Sequence, residues 1–336
     1  PGSGAQLAKA TEPNQRIARH AVKILPVYLS LTLIIWLLQV VSGTDSFHGL
    51  MIAFATMSTS GILPMRAMAD LGMSLPAEMI IFVFLMVAVT RQVMSLHMDK
   101  RYLPALKEDA EMRVALVFIV VVPLALWFRH FIGAIEVNEE ANVLASIKAF
   151  WGATFTVLSF LTTTGFVSSD WEAARDWSGL PTPGLILAGL AIMGGGVATT
   201  AGGVKLLRFY ALYKHGLREM ERLVHPSSVG GGGRLGRGMR REGAFIAWIF
   251  FMLFALSIAA VVVALAFAGL RFDEAVIFAI AALSTTGPLV QVALDSGATY
   301  AALSVEPKTI LIGAMVLGRM ETLAIIALFN PDFWRR

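Results

Sequence analysis

Three short strings carry the residues that could do chemistry: Ser58-Thr59-Ser60-Gly61, Thr162-Thr163-Thr164-Gly165 and Ser284-Thr285-Thr286-Gly287. Each interrupts an apolar run with three hydroxyls and a glycine. The hydroxyls could serve as nucleophiles of a membrane-embedded enzyme, but the sequence offers no base within reach of them and no metal-ligand cluster. The other chemistry belongs to the backbone. An extended Thr-x-x-Gly segment presents successive carbonyl oxygens, which can replace the hydration shell of a cation. Glycine reaches backbone angles closed to other residues and brings a carbonyl close to an ion. One such string alone reads as a cap or a loop; three copies in register, each ending a short apolar segment, read as a ring of ligands.

The elements that must position these strings belong to an integral membrane protein. Of 336 residues, 57% are hydrophobic and 15% charged, with a mean hydropathy of +0.71, whereas soluble domains carry about 25% charged residues. Cysteine is absent, which excludes disulfides, a thiol nucleophile and Cys-based zinc sites. The net charge of +4 is modest, and no nucleic-acid partner is expected. Nothing binds nucleotide within this chain: there is no G-x-G-x-x-G after a strand and no Walker A motif. The opening "PGSGAQLAKATEPNQ" has neither an initiator Met nor an apolar signal core; it reads as an expression remnant or as a start inside a longer gene.

A spanning helix needs about 20 mostly apolar residues. Six segments have that length: 22–42, 75–98, 113–135, 184–215 with an interruption, 244–270 and 307–329. Between the members of each pair lies a shorter stretch, "FHGLMIAFATMS", "ASIKAFWGATFTVLSF" or "DEAVIFAIAALS", of the length of a re-entrant or interfacial helix. Basic residues gather before residue 23 (Lys9, Arg16, Arg19, Lys23), over 98–113 (Lys100, Arg101, Lys107, Arg113), over 205–241 (including Lys214, Arg218, Arg222, Arg234, Arg237, Arg240) and at Arg335 and Arg336. The positive-inside rule makes those stretches cytoplasmic, and the alternate, more acidic connections (Glu136, Glu139, Glu140, Asp170, Asp176, Asp295) external. Each pair then leaves the cytoplasm and returns, and each short segment dips in from outside. The expected boundaries are a cytoplasmic link over 1–21, helix–loop–helix units over 22–98, 113–215 and 244–336, a cytoplasmic link over 99–112 and a basic, Gly-rich linker over 216–243. Such a linker is flexible and meets anionic lipid headgroups.

Irregular backbone at membrane depth is tolerated only where it is buried in protein or lines a watery cavity. The negative end of each short helix adds its dipole to the string that follows. The long segment 184–215 breaks at Gly194-Gly195-Gly196 and Gly202-Gly203, and five glycines, each costing about 1 kcal/mol relative to alanine, should unwind it. The unwound stretch reads as a flexible plug under the strings or as a close-packing patch between helices. Lys205 and Arg319 stand in membrane segments, where a cation should face a pore or a partner; a structural salt bridge for Arg319 and snorkelling for Lys205 are the alternatives. Arg91, His48 and His97 lie near interfaces, and Glu321 is expected to pair away from Arg319.

Several stretches resemble the Trk/Ktr/HKT superfamily of cation transporters, within it the bacterial TrkH branch: "FATMSTSGILP", "FLTTTGF" and "ALSTTGPL" at the strings, "GGGVATTAGGVKLLR" from Gly194 to Arg208, "KEDAEMR" from Lys107 to Arg113, and "GRMETLAIIALFNPDFW" near the end. The resemblance runs over essentially the whole chain. It implies an all-α fold of M1–pore helix–M2 units, pseudo-fourfold, of which this chain holds the second, third and fourth and lacks the first. It implies that Ser58, Thr59, Ser60, Gly61, Thr162, Thr163, Thr164, Gly165, Phe166, Ser284, Thr285, Thr286 and Gly287 form a filter for K+, the transported ion. It also implies a gate made of Gly194, Gly195, Gly196, Thr199, Thr200, Gly202, Gly203, Lys205 and Arg319, with Arg319 below the filter. The expected function is potassium uptake across the bacterial inner membrane, with a soluble nucleotide-binding, TrkA-like regulatory subunit on the cytoplasmic side and a homodimer of the membrane chain. A sodium-permeable member of the family and a non-conducting structural subunit remain the alternatives.

Overall fold

The computed structural model describes residues 13–64, 73–89, 109–133, 143–180, 182–197, 199–225, 241–294 and 297–320. Arg91, His97, Glu321, the basic linker from 226 to 240, the acidic connection around Glu136 to Glu140, Asp295 and both termini lie outside these residues.

Every regular element among the described residues is a helix, and one order of elements recurs. A long apolar helix is followed by a short helix that ends in a hydroxyl–glycine string, and then by a further helix. The long members are α1 (Pro13–Val41), α4 (Ala110–Gly133) and α9 (Arg241–Phe267). Within them Ile24–Val41, Ala110–Arg129 and Gly243–Phe267 are long and apolar enough to cross a membrane. Pro26 and Pro123 sit inside α1 and α4, a position tolerated in membrane helices because neighbouring helices re-satisfy the freed backbone. The short members are α2 (Ser46–Ser58), α5 (Val143–Leu161) and α10 (Phe272–Leu283). The helices that follow are α3 (Leu75–Val87), the pair α7 (Gly184–Met193) and α8 (Leu206–Val224), and α12 (Val305–Arg319). The remainder of the predicted segments 75–98 and 307–329 lies outside the described residues.

Packing repeats with the order. Each long helix lies against its short helix (α1 on α2, α4 on α5, α9 on α10), and each short helix against the helix that follows (α2 on α3, α5 on α7, α10 on α12). Neighbouring groups join in one way as well: α3 packs on α5, and α7 packs on α10. The short helices thereby become the core. Phe155, Leu158, Phe160 and Leu161 of α5 and Ala275, Phe278 and Leu283 of α10 are fully buried. The long helices face outward, with Leu29, Leu33, Leu37, Val117, Val121, Leu256 and Val263 exposed. So much continuous apolar surface would be a liability in water; here it is the face that meets lipid.

Three small elements had no counterpart in the sequence reading: α6 (Trp171–Ser178), α11 (Leu289–Ala293) and a 3-10 turn at Tyr300–Ala302. All lie between a string and the helix that follows it. Arg129 of α4 ties α6 down by donating from Nε to the Ser178 carbonyl at 2.9 Å.

Phe278 is wholly buried in α10 and meets the Tyr300 ring edge-on at 5.2 Å between centroids. Phe278→Ala is expected to cost about 3–5 kcal/mol, and Phe278→Leu much less. Thermal unfolding of the detergent-solubilised protein measures both; equal midpoints for the two variants would contradict this account of the core.

Candidate functional site

The three hydroxyl–glycine strings end their helices in the same way, hydrogen bond for hydrogen bond. Thr59 N donates to Thr56 O at 3.2 Å and Ser60 N to Ala55 O at 3.0 Å. Thr163 N donates to Phe160 O at 3.1 Å and Thr164 N to Ser159 O at 2.9 Å. Thr285 N donates to Ala282 O at 3.2 Å and Thr286 N to Ala281 O at 2.9 Å. This pairing is the Schellman helix end, whose turning residue is left-handed and usually glycine. Here it is threonine each time, with φ of 48° at Thr59, 57° at Thr163 and 57° at Thr285. A β-branched residue in that region is strained, and such strain persists where surrounding structure demands it.

The flanking hydroxyls pair with each other. Ser58 Oγ donates to Ser60 Oγ at 3.0 Å, Thr162 and Thr164 share a hydrogen bond of 3.1 Å, and Ser284 Oγ donates to Thr286 Oγ1 at 3.1 Å. With its neighbours engaged, the middle threonine of each string is left to face the interrupted helix. α7 stops at Met193 and α8 starts at Leu206, so the glycines do unwind the segment. The loop is closed at its base by Val204 N to Ile192 O, Lys205 N to Met193 O and Leu206 N to Gly195 O, at 2.9–3.0 Å.

The loop meets all three threonines. Thr59 Oγ1 donates to Thr200 Oγ1 at 2.8 Å, and Thr200 Oγ1 in turn lies 3.4 Å from Met57 O. Gly202 N donates to Thr163 Oγ1 at 2.7 Å. Gly202 also lies so near Ser284 O that a side chain there would overlap the carbonyl, and its Cβ would sit 2.6 Å from Thr285 Oγ1; only glycine fits. Thr199 folds back on the loop, donating to Gly196 O at 2.6 Å. Gly194 and Gly203 take positive φ, and Gly194 packs on the Gly202 carbonyl.

Both suspected cations lie on this loop. Arg319 Nη1 donates to Thr200 O at 2.7 Å. Lys205 does not reach outward: it is 7% exposed, has φ of 82°, and folds its ammonium onto the Ala201 carbonyl. His48, by contrast, sits at the start of α2, with Nδ1 3.1 Å from Asp45 Oδ2.

Above the loop the strings converge. Gly61, with φ of 60°, packs directly on the Thr164 carbonyl, and Pro288 approaches its Cβ position at 3.1 Å. Pro288 also lines the Cβ position of Gly165 at 3.0–3.2 Å. Phe166 is 2% exposed and leads the chain into the core. Gly287 departs from the other two glycines. It has no positive φ, its surroundings are open, and its carbonyl accepts from Tyr300 OH at 3.2 Å. The next residue is proline, and the chain turns at once into α11, Leu289 N bonding to Thr286 O, instead of running on extended.

Sequence reasoning missed the separate role of the middle hydroxyl. A signal existed: apart from glycine, only the second position of the string is the same residue, threonine, in all three copies. It also missed Glu111. This carboxylate, 3% exposed in the first turn of α4, accepts from Val197 N at 2.8 Å and so ties the start of α4 to the glycine loop.

Helices long and apolar enough to cross a membrane surround three short helices whose hydroxyl–glycine ends meet over an unwound loop, the architecture of an all-helical membrane protein. The sequence profile described as "TrkH: Cation transport protein" matches residues 80–336, and the chain belongs to that family, one of transporters and not of enzymes. The Trk system potassium uptake protein TrkH of Escherichia coli K12 is 30% identical over 347 residues, covering 99% of this chain and 68% of its own length. TrkH of Halomonas elongata is 29% identical, covering 98% and 65%. The crystal structure of the potassium transporter TrkH from Vibrio parahaemolyticus superposes with a TM-score of 0.76 at 26% identity, over 95% of this chain and 66% of that one. The chain thus spans about two thirds of the length of these relatives.

Thr163→Val keeps the side-chain shape but leaves the Gly202 N–H without its acceptor, an expected cost of about 1–3 kcal/mol. Thr163→Gly removes the same acceptor while relieving strain of about 1–3 kcal/mol. Both should free the loop, so that amide exchange over 199–205 speeds up in both while only Thr163→Val lowers the thermal midpoint. Unchanged exchange in both variants would show that the hydroxyl does not hold the loop.

Proposed function

We propose that this chain is part of a potassium translocation subunit of the bacterial inner membrane. In this reading K+ passes along the point where the strings of 58–61, 162–166 and 284–287 meet, and the loop from Gly194 to Lys205 is the gate. The observation that carries it is the threefold recurrence of one helix end, with all three copies pointed at one place and the loop bonded beneath. Carbonyl oxygens there replace water around a dehydrated ion, and the C-terminal ends of α2, α5 and α10 add negative potential.

In this reading the bonded loop is the closed state of the gate. Opening must break the Thr59–Thr200, Gly202–Thr163 and Arg319–Thr200 bonds, together worth about 3–6 kcal/mol. A regulator that shifts the gate from 1:99 to 99:1 must discriminate between its two states by about 5.5 kcal/mol, so the latch is of a strength a bound partner can overcome. The family's soluble nucleotide-binding subunit, docked on the cytoplasmic side, would supply that energy, and a second copy of the membrane chain would complete a homodimer. The division into units over 22–98, 113–215 and 244–336 is supported by the recurring order of long, short and following helices. The exposed Phe54 and Ile62 on the side of α2 and its string offer a seat for a fourth unit, which the greater length of the relatives would accommodate.

Rubidium uptake by the protein expressed from its full gene, in cells lacking their own potassium transport, tests this. Wild type should restore uptake. Gly165→Ser places a side chain at φ of 81° and about 3 Å from the Pro288 ring, and should reduce uptake tenfold or more, the equivalent of at least about 1.4 kcal/mol. Undiminished uptake by a variant present at normal level in the membrane would overturn the assignment of the strings.

A further inference from the structure

Glu78 is a buried acid that the translocation reading leaves unused. It stands in the first turn of α3 and is 1% exposed. No lysine or arginine among the described residues lies within ion-pairing distance of it. Its carboxylate instead accepts four hydrogen bonds, all from the neighbouring unit. Oε2 receives Trp151 Nε1 at 2.9 Å and Ser168 Oγ at 2.8 Å; Oε1 receives Ser169 N at 2.7 Å and Ser169 Oγ at 2.8 Å. Trp151 belongs to α5, and Ser168 and Ser169 follow Phe166 on the outer limb of the middle string. Ser168 Oγ also accepts from Asp170 N at 3.1 Å, and Ser168 N lies 3.3 Å from Thr156 Oγ1 of α5. The limb is thus held from both sides, by its own short helix and by a carboxylate from the next unit.

The donor set dictates the residue type. Each carboxylate oxygen takes one N–H that can only donate, the indole on one side and the backbone amide on the other. An amide side chain has a single acceptor oxygen, so glutamine would present its NH2 to one of those N–H groups. A carboxylate satisfies both at once, and its charge strengthens all four bonds.

We propose that Glu78 is a positioning residue for ion selection: one unit supplies the carboxylate that fixes the outer limb of the next unit's filter, and thereby the spacing of carbonyls around the ion. This rests on the potassium-filter reading given above. A limb released from Glu78 lets the carbonyls close around a smaller ion, so the loss falls on discrimination between potassium and sodium before it falls on transport.

The test is the ratio of sodium to rubidium uptake by the protein expressed from its full gene, with the amount in the membrane measured alongside. Glu78→Gln should raise the ratio about tenfold, the equivalent of about 1.4 kcal/mol, with rubidium uptake per molecule reduced less than that. Glu78→Asp keeps an anion with a shorter reach and should fall between. Ser168→Ala with Ser169→Ala leaves Glu78 and the backbone donor in place while removing two hydroxyl donors. It should shift the ratio in the same direction, and it decides the matter if Glu78→Gln fails to reach the membrane. A ratio unchanged in variants that are present and still carry rubidium overturns the role of Glu78 and leaves the filter reading standing. Wild-type protein that carries no rubidium overturns both.

Discussion

A backbone polar group at membrane depth must find a partner inside the protein, because lipid offers none and each failure costs several kcal/mol. Every unusual feature of this chain answers to that constraint. A helix that stops in mid-membrane exposes its last carbonyls, and the Schellman turns after α2, α5 and α10 engage some of them through the amides at Ser60, Thr164 and Thr286. Other carbonyls of the strings are met by neighbours, as Ser58 O is by Thr59 Oγ1 and Gly287 O is by Tyr300 OH. The glycine loop obeys the same rule from below: its base is closed by its own backbone, and Val197 N and Gly202 N are taken by Glu111 and Thr163.

Threonine at the turning position follows from this division of labour. Glycine would make the turn without strain but would bring no hydroxyl, and the loop amide at Gly202 would lose its acceptor. The strained residue keeps the turn and serves the loop. Its cost is borne three times, at Thr59, Thr163 and Thr285, and the core around α5 and α10, packed with fully buried aromatic and aliphatic side chains, is what holds it in place.

The architecture was readable because it repeats. Apolar lengths and the spacing of the strings located the long helices α1, α4 and α9 and the short helices α2, α5 and α10, since a membrane leaves few other uses for segments of those lengths. The break in the helix before Lys205 followed from five glycines, and the contact of Arg319 with the loop agrees with a cation that seeks a partner. Lys205 was ambiguous because sequence cannot tell a side chain that reaches the interface from one that folds onto its own loop. The different course at Gly287 was missed although Pro288 was in view: the consequence of that proline depends on α11, five residues long and too short to show periodicity. Glu78 and Glu111 were invisible for another reason. Their partners, Trp151, Ser168, Ser169 and Val197, are 73 or more residues distant, and nothing in the local sequence marks a carboxylate as buried.

Those two acids show how the strings and the loop are tied into the rest of the molecule. Glu78 reaches from the first turn of α3 to the limb that follows the middle string, while Glu111 reaches from the first turn of α4 to the glycine loop. Each joins elements through hydrogen bonds to a backbone amide, so each fixes main chain and not merely a side chain. Because both carboxylates are buried, breaking either contact leaves a backbone amide without its acceptor, at a cost of about 1–3 kcal/mol. The first turn of α4 and the glycine loop are thereby joined directly, through Glu111 and Val197. The loop's own bonds to Thr59, Thr163 and Arg319 hold its other end, so the loop is fixed to the helices on both sides.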